Sequence, residues 1–147
     1  METQLHIRPA RPGDEAAIVA LVRELSDSGG WHTPIEQEYV RTYLANPHCG
    51  VLLAADGGRI VGLLSYTVRP NLFHAGDTAL VEELIVHDLD RGRGVGGALL
   101  VALMDFARAR GCVEVSVTTM PDNEDAQRFY RSHGLVEEAL FLERHLS

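Results

Sequence analysis

A chain of 147 residues, 46% of them apolar and with no long charge run, is sized for one globular domain around a single core. Its net charge of −8 repels the nucleic-acid backbone and suits a cationic small molecule or peptide better than DNA. No apolar run approaches the ~20 residues that span a membrane. Met1–His6 carries no basic stretch followed by an apolar core, so neither anchor nor signal peptide is expected, and the location read from this is cytoplasmic. Cys49 and Cys112 lack metal-type spacing and read as reduced core residues, with no metal site.

Leu5-His6-Ile7-Arg8 alternates apolar and polar as a short strand does, and Pro9 and Pro12 end it. Asp14 can cap a helix running to Leu25, with Ile18, Leu21, Val22 and Leu25 at helical spacing. Ser26 to Gly30 terminates it. A second helix is expected from about Pro34 to Leu44, since proline suits a first helical turn, and Asn46-Pro47 ends it. Between the two lies Gly29-Gly30-Trp31-His32-Thr33. Trp31 and His32 in this loop read as a substrate rim, with a cover over the core edge the equal alternative for the tryptophan.

Val51–Ala55 and Arg59–Val68 form a hairpin about Asp56-Gly57-Gly58. A loop from Arg69 to Asp77 carries Phe73 and His74, and a central strand runs from about Thr78 to Val86. A helix follows from Gly94 to about Arg110, closed by Gly111. Val113–Thr119 is rich in β-branched residues and reads as a strand. Pro121-Asp122-Asn123 turns into a short helix from about Asp125 to His133, and Val136 to Leu146 supplies one or two closing strands. The order β-α-α-β-β-β-α-β-α-β mixes antiparallel hairpins with one parallel strand–helix–strand crossover.

The chemistry concentrates where the central strand meets the long helix. Four glycines fall in the six positions from Gly92 to Gly97, flanked by Arg91 and Arg93. Lacking a Cβ, such residues let main-chain N–H groups approach a ligand. The helix start adds free donors and a partial positive charge, which together suit a phosphate or pyrophosphate.

These residues resemble the GCN5-related N-acetyltransferase (GNAT) superfamily. Its acetyl-coenzyme A motif, Arg/Gln-x-x-Gly-x-Gly/Ala, is matched by Arg91-Gly92-Arg93-Gly94-Val95-Gly96. Its second hallmark, Asn-x-x-Ala-x-x-Phe-Tyr-x-x-x-Gly-Phe, is matched from Asn123 to Leu135, with leucine for the final phenylalanine. The resemblance implies an α/β fold with a mixed six- to seven-stranded sheet, splayed at its middle and flanked by about four helices, in one domain covering residues 1–147. It implies that main-chain groups of Leu84, Ile85 and Val86 pair with the pantetheine arm of acetyl-CoA as an added strand would. Arg91, Gly92, Arg93, Gly94, Val95, Gly96 and Gly97 would form the pyrophosphate cradle. Asn123, Ala126, Phe129 and Tyr130 would complete the cofactor site, with Tyr130 protonating the departing thiolate. By analogy, a homodimer is expected.

Acetyl transfer to a primary amine needs a neutral nucleophile, and a lysine-like amine has a pKa of about 10.4. Glu82 and Glu83 are candidate bases or ammonium ligands. Strand alternation predicts that only one of them faces the acceptor pocket. Parity with Leu84 and Val86 favours Glu82, and a bulge would reverse the choice. Trp31, His32, Phe73 and Glu82 are the expected acceptor contacts. The acceptor class stays open between small polyamines, amino acids, aminoglycosides and protein amines. One competing reading is an acyl-CoA sensor or scaffold of the same fold without transferase activity. Another is a dinucleotide-binding enzyme, since Gly92-x-Gly94-x-x-Gly97 also fits that fingerprint, but too little chain follows for further βαβ units.

Overall fold

The computed structural model describes residues 4–146, so the leader reading at Met1–Thr3 lies outside the described residues. Five strands form one sheet in sequence order: β1 (Leu5–Pro9), β2 (Cys49–Asp56), β3 (Arg59–Asn71), β4 (Gly76–Val86) and β5 (Glu114–Val117). The first four pair antiparallel, and β5 joins β4 in parallel through the crossover helix α3 (Val95–Arg110). The other helices are α1 (Glu15–Gly29), α2 (Gln37–Ala45) and α4 (Glu124–Ser132). No helix among the described residues is long and apolar enough to cross a membrane.

Period-2 alternation sorts the core into two layers. Val51, Leu53, Leu63 and Ile85 meet Ile18, Val19 and Leu21 of α1 and Val40 of α2 on one face. Leu52, Ala54, Val61, Leu64 and Val81 meet Val95, Leu99, Leu100 and Leu103 of α3 on the other, with Phe129 and Tyr130 of α4 at the margin.

Several boundaries differ from the sequence expectation. α1 continues four residues beyond Leu25, to Gly29, and stops where Gly30 takes a left-handed conformation at φ +72°. Asp14 does not cap α1 through its side chain, because the carboxylate accepts instead from the Arg8 guanidinium and the Arg11 amide. α2 begins at Gln37 rather than Pro34, and β3 and β4 extend toward each other as far as Asn71 and Gly76.

The closing strands expected between Val136 and Leu146 are not formed, so among the described residues the sheet has five strands rather than six or seven. β5 is only four residues long and offers little ladder to extend. An Arg131–Glu138 ion pair of 3.1 Å ties the start of the segment to the end of α4. Leu140, Phe141 and Leu142 remain exposed.

Candidate active site

The sheet opens between β4 and its edge strand β5. β4 and β5 pair only from Thr78–Glu114 to Val81–Val117, while β4 runs on to Val86. Beyond Val81 the β5-facing main chain of β4 therefore has no ladder partner, although such groups are normally satisfied. Leu84, Ile85 and Val86, the three residues assigned to the pantetheine arm, lie in this stretch.

At the point where pairing stops, β4 carries a bulge. Ser65 pairs with Glu83 but Tyr66 pairs with Val81, which leaves Glu82 as the extra residue. The core confirms the phase change: Val81, Leu84 and Val86 all pack toward α3, three residues and then two apart. The parity argument for Glu82 thus fails, because alternation is interrupted between Val81 and Leu84. Glu83 accepts a 2.6 Å hydrogen bond from the Ser65 hydroxyl, and Glu82 accepts one of 3.2 Å from Thr67. Ser65 and Thr67 are two apart on β3, and the intervening Tyr66 packs toward α3. Both carboxylates therefore lie on the α1/α2 face. Glu83 is half-buried and Glu82 is exposed. Burial pushes the Glu83 carboxyl above the usual carboxylate range, against the Ser65 hydrogen bond, and the Glu82 charge pushes it the same way.

Tyr43 of α2 closes this polar group, donating from its hydroxyl to the Tyr66 carbonyl at 3.0 Å. Burial raises its phenol far above the ordinary value, with Cys49 and both glutamates adding to the effect. Gly50 leaves room on β2: a Cβ there would sit 2.3 Å from the Tyr66 hydroxyl.

The glycine turn leaves a helix start open. Gly92 and Gly94 take left-handed φ angles of +79° and +78°, which only glycine adopts cheaply. Gly94 is the N-cap of α3, and no side chain hydrogen-bonds the first helical turn, so the amides of Val95, Gly96 and Gly97 have no intrahelical or side-chain partner. Gly96 lets the Phe129 ring approach to 3.5 Å from its missing Cβ, and Gly97 does the same for His133.

The two arginines of the motif separate. Arg91 is exposed and pairs with Asp88 at 3.0 Å. Arg93 is engaged internally: it binds Asp90, and Asp56 of β2 at 2.8 Å. Asp90, only 1% exposed, also takes a bidentate pair from Arg59 at 3.0 and 3.1 Å. The Arg59 and Arg93 guanidinium groups hold its carboxyl below the usual range. This Asp56–Arg93–Asp90–Arg59 chain straps the cradle to the β2–β3 hairpin. The sequence reading missed it, since Asp56 and Arg59 look like ordinary turn residues.

Asn123 is the N-cap of α4, its side-chain oxygen accepting from the Ala126 amide at 3.1 Å. Phe129 meets Tyr130 edge-on at 5.2 Å. Burial keeps the Tyr130 phenol protonated above its ordinary range. Trp31 and His32 line a small cavity of about 150 Å³ with Arg23, Ser26, Asp27 and Thr33. One turn earlier on α1, Glu24 accepts from the Asp88 amide at 2.9 Å and lies 2.8 Å from the His87 ring, which ties α1 to the end of β4. Phe73 is not brought to the wedge. It is 92% exposed at the tip of the β3–β4 hairpin, about 30 Å along the strand from Ile85 at ~3.4 Å per residue. No cluster of potential metal ligands occurs among the described residues.

Residues 18–135 match the model of the Acetyltransferase (GNAT) family. The chain is 27% identical to an aminoglycoside N(6')-acetyltransferase of Klebsiella aerogenes, over 95% of this chain and 94% of that protein. It is 28% identical to an aminoalkylphosphonate N-acetyltransferase of Salmonella typhimurium, over 87% of this chain and 82% of that protein. An aminoglycoside N-acetyltransferase solved in complex with CoA shares the fold, with a TM-score of 0.83 at 19% identity, covering 100% of this chain and 98% of the other. With β4 running on past the short β5 ladder, the open helix start and a family match over most of its length, the chain belongs to the GNAT family of N-acetyltransferases.

Proposed function

We propose that this protein transfers an acetyl group from acetyl-CoA to the primary amine of a small cationic acceptor, by direct attack with both molecules bound. The observation that carries the reading is the wedge: β5-facing main chain without a ladder partner along Leu84–Val86, leading into the uncapped amides of Val95, Gly96 and Gly97. That geometry fits an extended amide-bearing arm ending in a diphosphate. The bound thioester supplies the activated acyl group. The protein's tasks are to hold it, to bring an amine to it, and to move two protons.

Glu83 takes the proton from the incoming ammonium, directly or through water. Its raised pKa brings it nearer that of the amine, which makes proton transfer less uphill. Glu82, beside it on the same face, attracts the cation. A main-chain N–H near Ile85 polarises the acyl carbonyl. Tyr130, kept protonated by its surroundings, gives its proton to the departing sulfur. Direct attack is favoured over a thiol relay because burial raises both Cys49 and Cys112 above the ordinary thiol range, opposite to an activated nucleophile. The net charge of −8 and the two acids favour a cationic acceptor. Relatives named for aminoglycosides and aminoalkylphosphonates support a small-molecule amine.

The test follows thiol release from acetyl-CoA across a panel of aminoglycosides, diamino acids, aminoalkylphosphonates, polyamines and peptide N-termini. Intersecting initial-velocity lines are expected for at least one acceptor, with Glu83→Gln slower by about 10²-fold or more. Parallel lines would overturn direct attack. Coenzyme A binding without thiol release from any amine would overturn the transferase reading.

A further inference from the structure

We propose that Ser65 is the positioning residue for Glu83, locking its carboxyl inside the β4 bulge in the orientation from which it takes the amine's proton. The inference rests on the reading of Glu83 as the proton acceptor. The bulge creates the need. Where Glu82 is squeezed out of register, the ladder between β3 and β4 is interrupted and the Glu83 amide requires another acceptor. The Ser65 hydroxyl oxygen provides it, accepting from the Glu83 N–H at 3.0 Å. The same hydroxyl donates its proton to the Glu83 carboxylate at 2.6 Å, a short bond of the charge-assisted kind. One side chain thus grips both the main chain and the carboxyl of a single residue. Ser65 is only 4% exposed, so water cannot readily substitute for it.

The surroundings make this bond consequential. Glu83 is faced by Glu82 on its own strand, by Tyr43 from α2 and by Ser65 from β3, while Cys49 of β2 and Thr67 of β3 stand against Glu82. Burial holds the phenol and the thiol in their neutral forms. Glu82 raises the Glu83 carboxyl further, and the Ser65 hydrogen bond opposes that rise. Removing the hydroxyl leaves desolvation and Glu82 unopposed.

The experiment compares Ser65→Ala, Ser65→Cys and Ser65→Thr with the parent, reading the pH profile of kcat with acetyl-CoA and the best acceptor. The Glu83 carboxyl is also titrated by ¹³C NMR in the unliganded protein. Ser65→Ala should move the acidic limb up by about one unit, the effect of losing one charge-assisted hydrogen bond. Turnover below the limb should fall about tenfold, with a smaller deficit on the alkaline plateau. Ser65→Cys, a weaker donor, should fall between, and Ser65→Thr should restore the parental limb. A hydroxyl needed only for folding would lower kcat evenly across pH and leave the carbon titration in place; that outcome overturns the proposal. Should Ser65→Ala not fold, the Cys and Thr titrations decide, and coincident curves refute it. If Glu83→Gln keeps parental turnover, the base reading fails, while the carbon titration still reports whether Ser65 holds the carboxyl.

Discussion

Gly62→Ala should loosen the wedge from behind. Gly62 sits on β3 beneath the first turn of α3. A Cβ there would lie 2.9 Å from Val95 Cγ1 and 3.1 Å from the Ile85 carbonyl oxygen. Ordinary carbon contacts begin near ~3.5 Å, so the neighbours must yield by roughly half an ångström. Val95 is 2% exposed and Ile85 4%, so neither has free space to enter. Overpacking of this kind costs about 1–3 kcal/mol. The stiffer unfolded chain returns about 0.4–1 kcal/mol, leaving a net loss of about 1–2 kcal/mol. For a domain of this size that is a Tm lower by roughly 3–6 °C. The strain falls between the Ile85 carbonyl and the start of the anion cradle, so coenzyme A affinity should fall as well. Urea denaturation at unchanged m, with calorimetry against coenzyme A, measures both. A variant as stable as the parent with unaltered affinity would refute the idea that β3 sets the seat of α3.

Other perturbations separate the assigned roles. Tyr130→Phe should lower turnover by about 10²-fold while leaving coenzyme A affinity near the parental value in calorimetry; equal losses in both would make the ring a packing element only. Arg91→Ala should weaken coenzyme A by about tenfold, the loss of one charge-assisted contact, with little change in Tm. Arg93→Ala should instead lower Tm, because its guanidinium is committed to Asp90 and Asp56. Asp90 has a depressed folded-state pKa, so its contribution is present above the unfolded carboxylate pKa and is lost as pH falls through the folded value. Asp90→Asn should therefore lower Tm at neutral pH and flatten the acid limb of a Tm–pH profile. Glu83 has the opposite sign. Its folded pKa is raised, so ionising it costs stability as pH rises from the unfolded pKa toward the folded one. Glu83→Gln should be less active yet have a higher Tm at neutral pH, and a lower Tm would count against strain stored at this acid.

The elements with strong periodic signals were readable without coordinates. Ile18, Leu21, Val22 and the apolar run from Ala98 to Met104 carry helical spacing, and the four glycines between Gly92 and Gly97 announce a turn whose amides face outward. What could not be read depended on one inserted residue or on partners distant in sequence. Nothing in Val81-Glu82-Glu83-Leu84 distinguishes a bulged strand from a regular one. The bulge falls where β5 stops pairing, at Val81–Val117, while β3 continues, and that is a property of the assembled sheet. It brings two acids to one face where alternation allows one. Arg93 looked like a phosphate ligand by proximity, but Asp56, 37 residues away in sequence, claims part of its guanidinium. Phe73 sits in a segment whose direction the sequence does not reveal, and the long hairpin carries it to the far end of β4. The C-terminal run, read as closing strands from its apolar residues, joins no sheet edge.

The most direct test is an amide hydrogen-exchange comparison of the protein alone and with coenzyme A. The account predicts new protection at Leu84 and Val86, whose main-chain donors face away from β3, and at Val95, Gly96 and Gly97, whose amides have no helix or side-chain partner. Protection confined to other segments, or β5 pairing onto Leu84–Val86 when coenzyme A binds, would contradict it.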